Sequence, residues 1–144
     1  PTTGVDPVSR REFWQMLYRL NKEGMTVFVS TPYMDEAELC TRVAFLHEGR
    51  VVSCASPEEL RAAYPYKILE LAISGREVKK SLQDCNLVDI NAFGEKYHLV
   101  TREPEQARET VVAALARSGF TGFSLAEVAP TLEDVFVALA GEAS

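Results

Sequence analysis

Pro65, held between Tyr64 and Tyr66, marks the place where the residue pattern of this 144-residue chain changes. A proline fixes φ and offers no N–H, so neither a helix nor an internal strand runs on through it. After it, Lys67 to Ser74 reads as a strand carrying Ile68, Leu69, Leu71 and Ile73. Gly75 to Gln83 reads as a helix and Val88 to Phe93 as a short strand. Glu95 to Thr101 is a clearer strand, with Tyr97, Leu99 and Thr101 on one face. Pro104 opens a helix to Arg117 whose apolar face is Ala107, Val111, Ala114 and Leu115, and Gly119 caps it. Phe123 to Val128 is the last strand of this part. Thr131 and Asp134 then form a capping-box pattern, opening a helix with Leu132, Val135, Phe136 and Leu139 on one side.

The order β-α-β-β-α-β after residue 66 is that of a ferredoxin-like split βαβ unit. Residues 1 to 65 are patterned differently. Asp6-Pro7 supplies an N-cap and a first-turn proline. Phe13, Met16, Leu17 and Leu20 follow at helical spacing, and Gly24 stops the helix. Met25 to Thr31 is rich in Val and Phe without clean alternation, which predicts a strand buried on both faces of a parallel sheet and ended by Pro32. Val43 to Leu46 and Arg50 to Cys54 read as a hairpin around His47-Glu48-Gly49. Ser56 with Glu59 is a capping box with Pro57 at the first helical position.

Composition narrows the function classes. With 47% hydrophobic residues the chain has material for a core. Its formal net charge of −6 lacks the basic excess that phosphate neutralisation requires, so no nucleic-acid partner is expected. No apolar run is long enough to span a bilayer, and there is no signal-peptide pattern. Cys40, Cys54 and Cys85 are scattered and form no C-x-x-C, which fits reduced thiols rather than a disulfide framework or zinc site. Asp35, Glu36 and Glu38 read as acids of a helix's first turn on a solvated face. His47 and His98 have no partner at metal-ligand spacing and read as structural or surface residues.

Five segments in series carry a family resemblance. Pro1-Thr2-Thr3-Gly4-Val5-Asp6-Pro7 resembles the D-loop of ATP-binding-cassette (ABC) ATPases. Val27-Phe28-Val29-Ser30-Thr31-Pro32-Tyr33-Met34-Asp35-Glu36-Ala37-Glu38 resembles the switch region, with Pro32 where the family has histidine. Arg42 to Val52 and Ser56 to Leu60 are similar to the hairpin and short helix that follow. Ala129 to Phe136 resembles the end of the accessory domain of ABC-2-type exporter ATPases.

The resemblance implies an α/β fold: the C-terminal part of an ABC nucleotide-binding domain over residues 1–65, then a small ferredoxin-like α+β accessory domain over 66–144. It implies a parent protein that couples ATP binding and hydrolysis to export, with ATP and magnesium as cofactors. The expected partners are a membrane permease and a second ABC ATPase domain, whether homo-, hetero- or tandem, on the inner face of the cell membrane. Asp6 would meet the opposing subunit across the dimer interface. Thr31 and Pro32 would lie near the terminal phosphate. Neither G-x-x-x-x-G-K-[ST] nor a signature run occurs here, so these residues alone are expected neither to bind nor to hydrolyse ATP. Proline supplies no side-chain donor, so the site should be slow or degenerate, with hydrolysis left to a partner site. An unpaired strand at 25–31 would favour self-association. The alternative from a different class is a regulatory or dimerisation module without catalysis.

Overall fold

A computed structural model describes residues 2–75 and 77–143. Pro1 of the first motif, Arg76 of the expected helix at 75–83 and Ser144 lie outside the described residues. The chain forms two compact units, one ending at Leu39 and the other beginning at Cys40.

The first unit is built on α1 (Pro7–Lys22). Asp6 caps it from extended backbone, its carboxylate accepting from Val8 and Ser9 N–H. Arg19 and Lys22 sit in the last turn, where the helix dipole favours cations. The buried side chain of α1 is Trp14, not the Phe13, Met16, Leu17 and Leu20 stripe that the spacing suggests. Met16 is 41% exposed. Trp14 packs beside Tyr18 at 6.4 Å between ring centroids, and the Tyr18 hydroxyl donates to the Leu39 carbonyl at 2.7 Å. A short α2 (Met34–Ala37) closes the unit.

The strand expected over 25–31 does not form; these residues join no sheet, and Phe28 is 95% exposed. A two-sided apolar strand is stable only between paired neighbours that supply its ladder hydrogen bonds, and no other strand of the described residues pairs with it.

The second unit holds two antiparallel sheets. In the first, β1 (Val43–His47) pairs with β2 (Arg50–Ala55). Glu48 and Gly49 between them take φ of 48° and 76°, the left-handed pair that a two-residue hairpin turn needs to match strand twist. Inward-facing Phe45 meets Phe136 at 5.2 Å between centroids. After the hairpin comes α3 (Pro57–Ala62), with the Ser56/Glu59 capping box formed in both directions.

The second sheet has the order β4-β5-β3-β6, every pair antiparallel. Its strands are β3 (Lys67–Ala72), β4 (Asp89–Phe93), β5 (Lys96–Thr101) and β6 (Ser124–Val128). Period-2 alternation sends Leu69, Leu71 and Leu99 to one face. There they pack with Val78 and Leu82 from the α4 segment (Val78–Ser81) and with Ala107, Val111, Ala114 and Leu115 of α5 (Pro104–Arg117). The helix expected over 75–83 is thus reduced to four residues. Glu77 takes a left-handed φ of 66° at its start. A side chain at Gly75 would come within 2.6 Å of the Phe120 ring. The opposite face carries Ile68, Glu70, His98 and Val100, and α6 (Leu132–Ala143) follows β6.

Leu99 is fully buried in this cluster. Leu99→Ala therefore costs about 2–5 kcal/mol, because the lost transfer energy adds to a cavity the sheet cannot collapse. Thermal unfolding followed by circular dichroism measures it.

Candidate functional site

Residues that sequence reading tied to function lie in the first unit, around the N-terminus of α1. Asp6 is engaged there with its own helix. Oδ1 accepts from Val8 N–H at 3.0 Å and Ser9 N–H at 3.1 Å, and Oδ2 accepts from the Ser9 hydroxyl at 2.6 Å. These bonds, led by the Ser9 hydroxyl, hold the Asp6 carboxyl below its usual range. The helix-cap and functional readings of Asp6 are compatible, since capping leaves the residue exposed.

Thr31 and Pro32 form the turn between the 25–31 segment and α2. The Thr31 hydroxyl accepts the Tyr33 N–H at 3.1 Å. Pro32 is exposed and brings no polar side-chain atom to the turn.

The centre of the arrangement is Glu36, which the sequence placed on a solvated face with Asp35 and Glu38. Asp35 is solvated, its side chain 67% exposed; Glu36 is fully buried. A helix of four residues is too short to show which of its acids turns inward. The Glu36 carboxylate accepts from the hydroxyl of Thr2, itself buried. The Thr31 side chain helps to favour its charged form, and Arg10 Nε pairs with it at 3.3 Å. Arg10 donates from Nη2 to Asp35 at 2.9 Å, and its guanidinium lies 5.8 Å from the Tyr33 ring centroid. The Tyr33 hydroxyl reaches Thr3 Oγ1 at 3.4 Å. Thus Thr31 joins a cluster that sequence reasoning missed, formed with Thr2, Arg10 and Glu36.

Burial pushes the Glu36 carboxyl up, but the hydrogen bonds from Thr2 and Thr31 and the Arg10 charge outweigh it and hold the group below its usual value. A depressed folded-state pKa means the unfolded chain binds more protons in acid. The stability Glu36 contributes is therefore present above about pH 4.5 and is lost as pH falls below it. Trp14, the chain's single tryptophan, lies in the same unit. Its fluorescence should report an acid transition below pH 4.5 that Glu36→Gln weakens.

A second polar cluster, in the other unit, binds the sheet to α6. His98 Nδ1 lies 2.7 Å from Asp134 Oδ1, and both residues are buried. Asp134 Oδ2 accepts from the Thr131 N–H at 2.8 Å and its hydroxyl at 2.9 Å, closing the capping box that the sequence predicts. His98 Nε2 is 3.5 Å from Glu70 Oε2, and the His98 ring stacks on Phe93 at 4.2 Å. His47 instead lies edge-on to Phe136.

No group of three or more His, Cys, Asp or Glu side chains that could hold a metal ion occurs among the described residues. The Thr2 hydroxyl and Arg10 are directed at Glu36 and Asp35, so this cluster does not present donors arranged to cradle a nucleotide phosphate.

No family model matches the chain. It is similar over 98% of its length to "Nod factor export ATP-binding protein I" of Rhizobium sp. (strain N33), at 34% identity and 45% of that protein. It is similar at 32% identity, over 98% of its length and 44% of the relative, to "Daunorubicin/doxorubicin resistance ATP-binding protein DrrA" of Streptomyces peucetius. Over 62 residues, 43% of the chain and 11% of the relative, it is 44% identical to "Probable multidrug ABC transporter ATP-binding protein YbhF" of Escherichia coli (strain K12). The chain is a homologue of ABC transporter ATP-binding proteins. Within that class, its matches over 98% of the chain support the ABC-2-type exporter group. It spans less than half the length of these relatives.

Proposed function

We propose that this chain is one portion of the ATP-binding subunit of an ABC exporter. In this reading residues 2–6 and 31–36 border a nucleotide site shared between two ATPase domains, and residues 66–144 form a ferredoxin-like accessory domain. The observation that carries it is the similarity, over 98% of the chain, to a Nod factor export ATP-binding protein and a daunorubicin/doxorubicin resistance ATP-binding protein. The β4-β5-β3-β6 order of an all-antiparallel sheet supports the ferredoxin-like reading of the second part.

The complete protein would bind ATP with magnesium, dock on a membrane permease from the cytoplasmic side and drive export as a dimer of ATPase domains. No helix among the described residues is long and apolar enough to cross a membrane. Asp6 would lie at the dimer interface, and Thr31 and Pro32 near the terminal phosphate. With Pro32 in place of a donor, this site would bind ATP while a partner site carries hydrolysis.

The test is a titration of the complete protein with a fluorescent ATP analogue and magnesium. Saturable binding that unlabelled ATP displaces is expected; its absence overturns the reading. A second reading, a dimerisation module, is favoured by one observation: among the described residues, the core of residues 69–115 takes no side chain from residues 1–65, although α6 packs on β1, β2 and α3. It predicts that 66–144 folds and self-associates alone, which light scattering checks.

A further inference from the structure

Two donors from separate stretches of chain converge on one fully buried carboxylate of a third. Thr2 comes from the loop before α1, Arg10 from α1, and Glu36 from α2, directly after the turn that carries Pro32. We infer that Glu36 is a positioning residue that locks the loop at 2–6 to the turn at 31–33, so that the two move together; its consequence for turnover rests on the nucleotide-site reading above.

The physical basis is the cost of separating them. Drawing the loop away from the turn takes the Thr2 donor off a buried anion, and hydrogen bonds to charged groups are stronger than neutral ones. The anion cannot compensate from solvent, since Glu36 is fully buried. A second tie runs parallel to the first, from the Tyr33 hydroxyl to Thr3 Oγ1, and Arg10 braces both by reaching Asp35, Glu36 and the Tyr33 ring. Thr31 ties the turn from within, its hydroxyl accepting from Tyr33 N–H. A shift of the Pro32 turn therefore moves Tyr33 and Glu36, and through them Thr3 and Thr2. None of these residues needs to touch the nucleotide to transmit its presence.

Amide hydrogen exchange of the complete protein, with and without a non-hydrolysable ATP analogue and magnesium, tests this. In the wild type the analogue should slow exchange in residues 2–9 and 31–38 together. Thr2→Val removes the donor while keeping the shape. It should leave the slowing at 31–38 in place, while the slowing at 2–9 falls by roughly tenfold, as expected for a coupling of ordinary size. Thr2→Ser, which retains the hydroxyl, should behave as wild type. Slowing at both segments in Thr2→Val overturns the coupling and leaves the nucleotide-site reading intact. Faster exchange throughout residues 2–39 with and without the analogue shows a merely structural role and also overturns it. A wild type in which the analogue slows neither segment overturns the nucleotide-site reading, and the coupling with it.

Discussion

Pro32→His is expected to raise the ATP hydrolysis rate of the complete protein by about 100- to 1000-fold, with little change in its stability. The magnitude is that of restoring one preorganised donor to a charged transition state, about 2.7–4 kcal/mol. Proline has neither a side-chain donor nor an N–H, so position 32 contributes nothing polar beyond its carbonyl. The structure indicates that histidine can be accommodated. Pro32 is exposed, so no packing is lost. The turn is held by Tyr33 N–H donating to Thr31 Oγ1, a bond that does not involve residue 32. Releasing the fixed proline φ costs about 0.4–1 kcal/mol through the unfolded chain, far less than the expected gain at the transition state. Initial rates of phosphate release at saturating ATP measure the effect, and the melting temperature serves as the control. A rate unchanged from wild type, in a variant that still binds ATP, would show that Pro32 does not limit this site.

How much was legible in the sequence follows from how local each signal is. Helix caps are determined within four residues, and Asp6, Ser56 with Glu59, and Thr131 with Asp134 all stand where their patterns place them. The core face of α5 was equally readable, because a fourteen-residue helix repeats its stripe. The 25–31 strand failed for a non-local reason: its apolar composition shows what it could pair with, not what it does pair with. In α1 the Phe13, Met16, Leu17 and Leu20 stripe is real, yet Trp14 is the side chain that becomes buried, since which face finds cover depends on the rest of the fold. Glu36 carried no signal that separates it from Asp35, one residue away in a four-residue helix. His98 and Asp134 stand 36 positions apart, and only the sheet and α6 bring them together. Asp6, Thr31 and Pro32 were singled out by resemblance; Thr2, Arg10 and Glu36 required coordinates.

Asp134→Ala should be among the most damaging single substitutions in the second unit, costing about 1.5–5 kcal/mol, the cost of an unsatisfied buried polar group plus that of a weakened helix cap. The mechanism is the loss of one partner from a buried polar cluster. Asp134 is 2% exposed and His98 5% exposed, so neither can turn to water. Truncation removes the acceptor for His98 Nδ1 and, at the same time, the acceptor for the Thr131 N–H and hydroxyl at the start of α6. Two consequences then add: an unpaired buried imidazole and the loss of one half of the α6 capping box, the other half remaining as residue 134 N–H donating to Thr131 Oγ1. The tie to Glu70 on the other ring nitrogen, at 3.5 Å, is too long to compensate. Asp134→Asn should cost less, because one amide oxygen can still accept, although the amide nitrogen must then face a donor. His98→Leu leaves the Thr131 bonds in place and should be the milder of the two truncations. Because the residues share one interaction, the double variant His98→Leu/Asp134→Ala should cost less than the two singles combined, by about 0.5–3 kcal/mol. Chemical denaturation of the four proteins gives that difference directly. Strict additivity would show that the His98–Asp134 contact contributes nothing, and that Asp134 acts through the α6 cap alone.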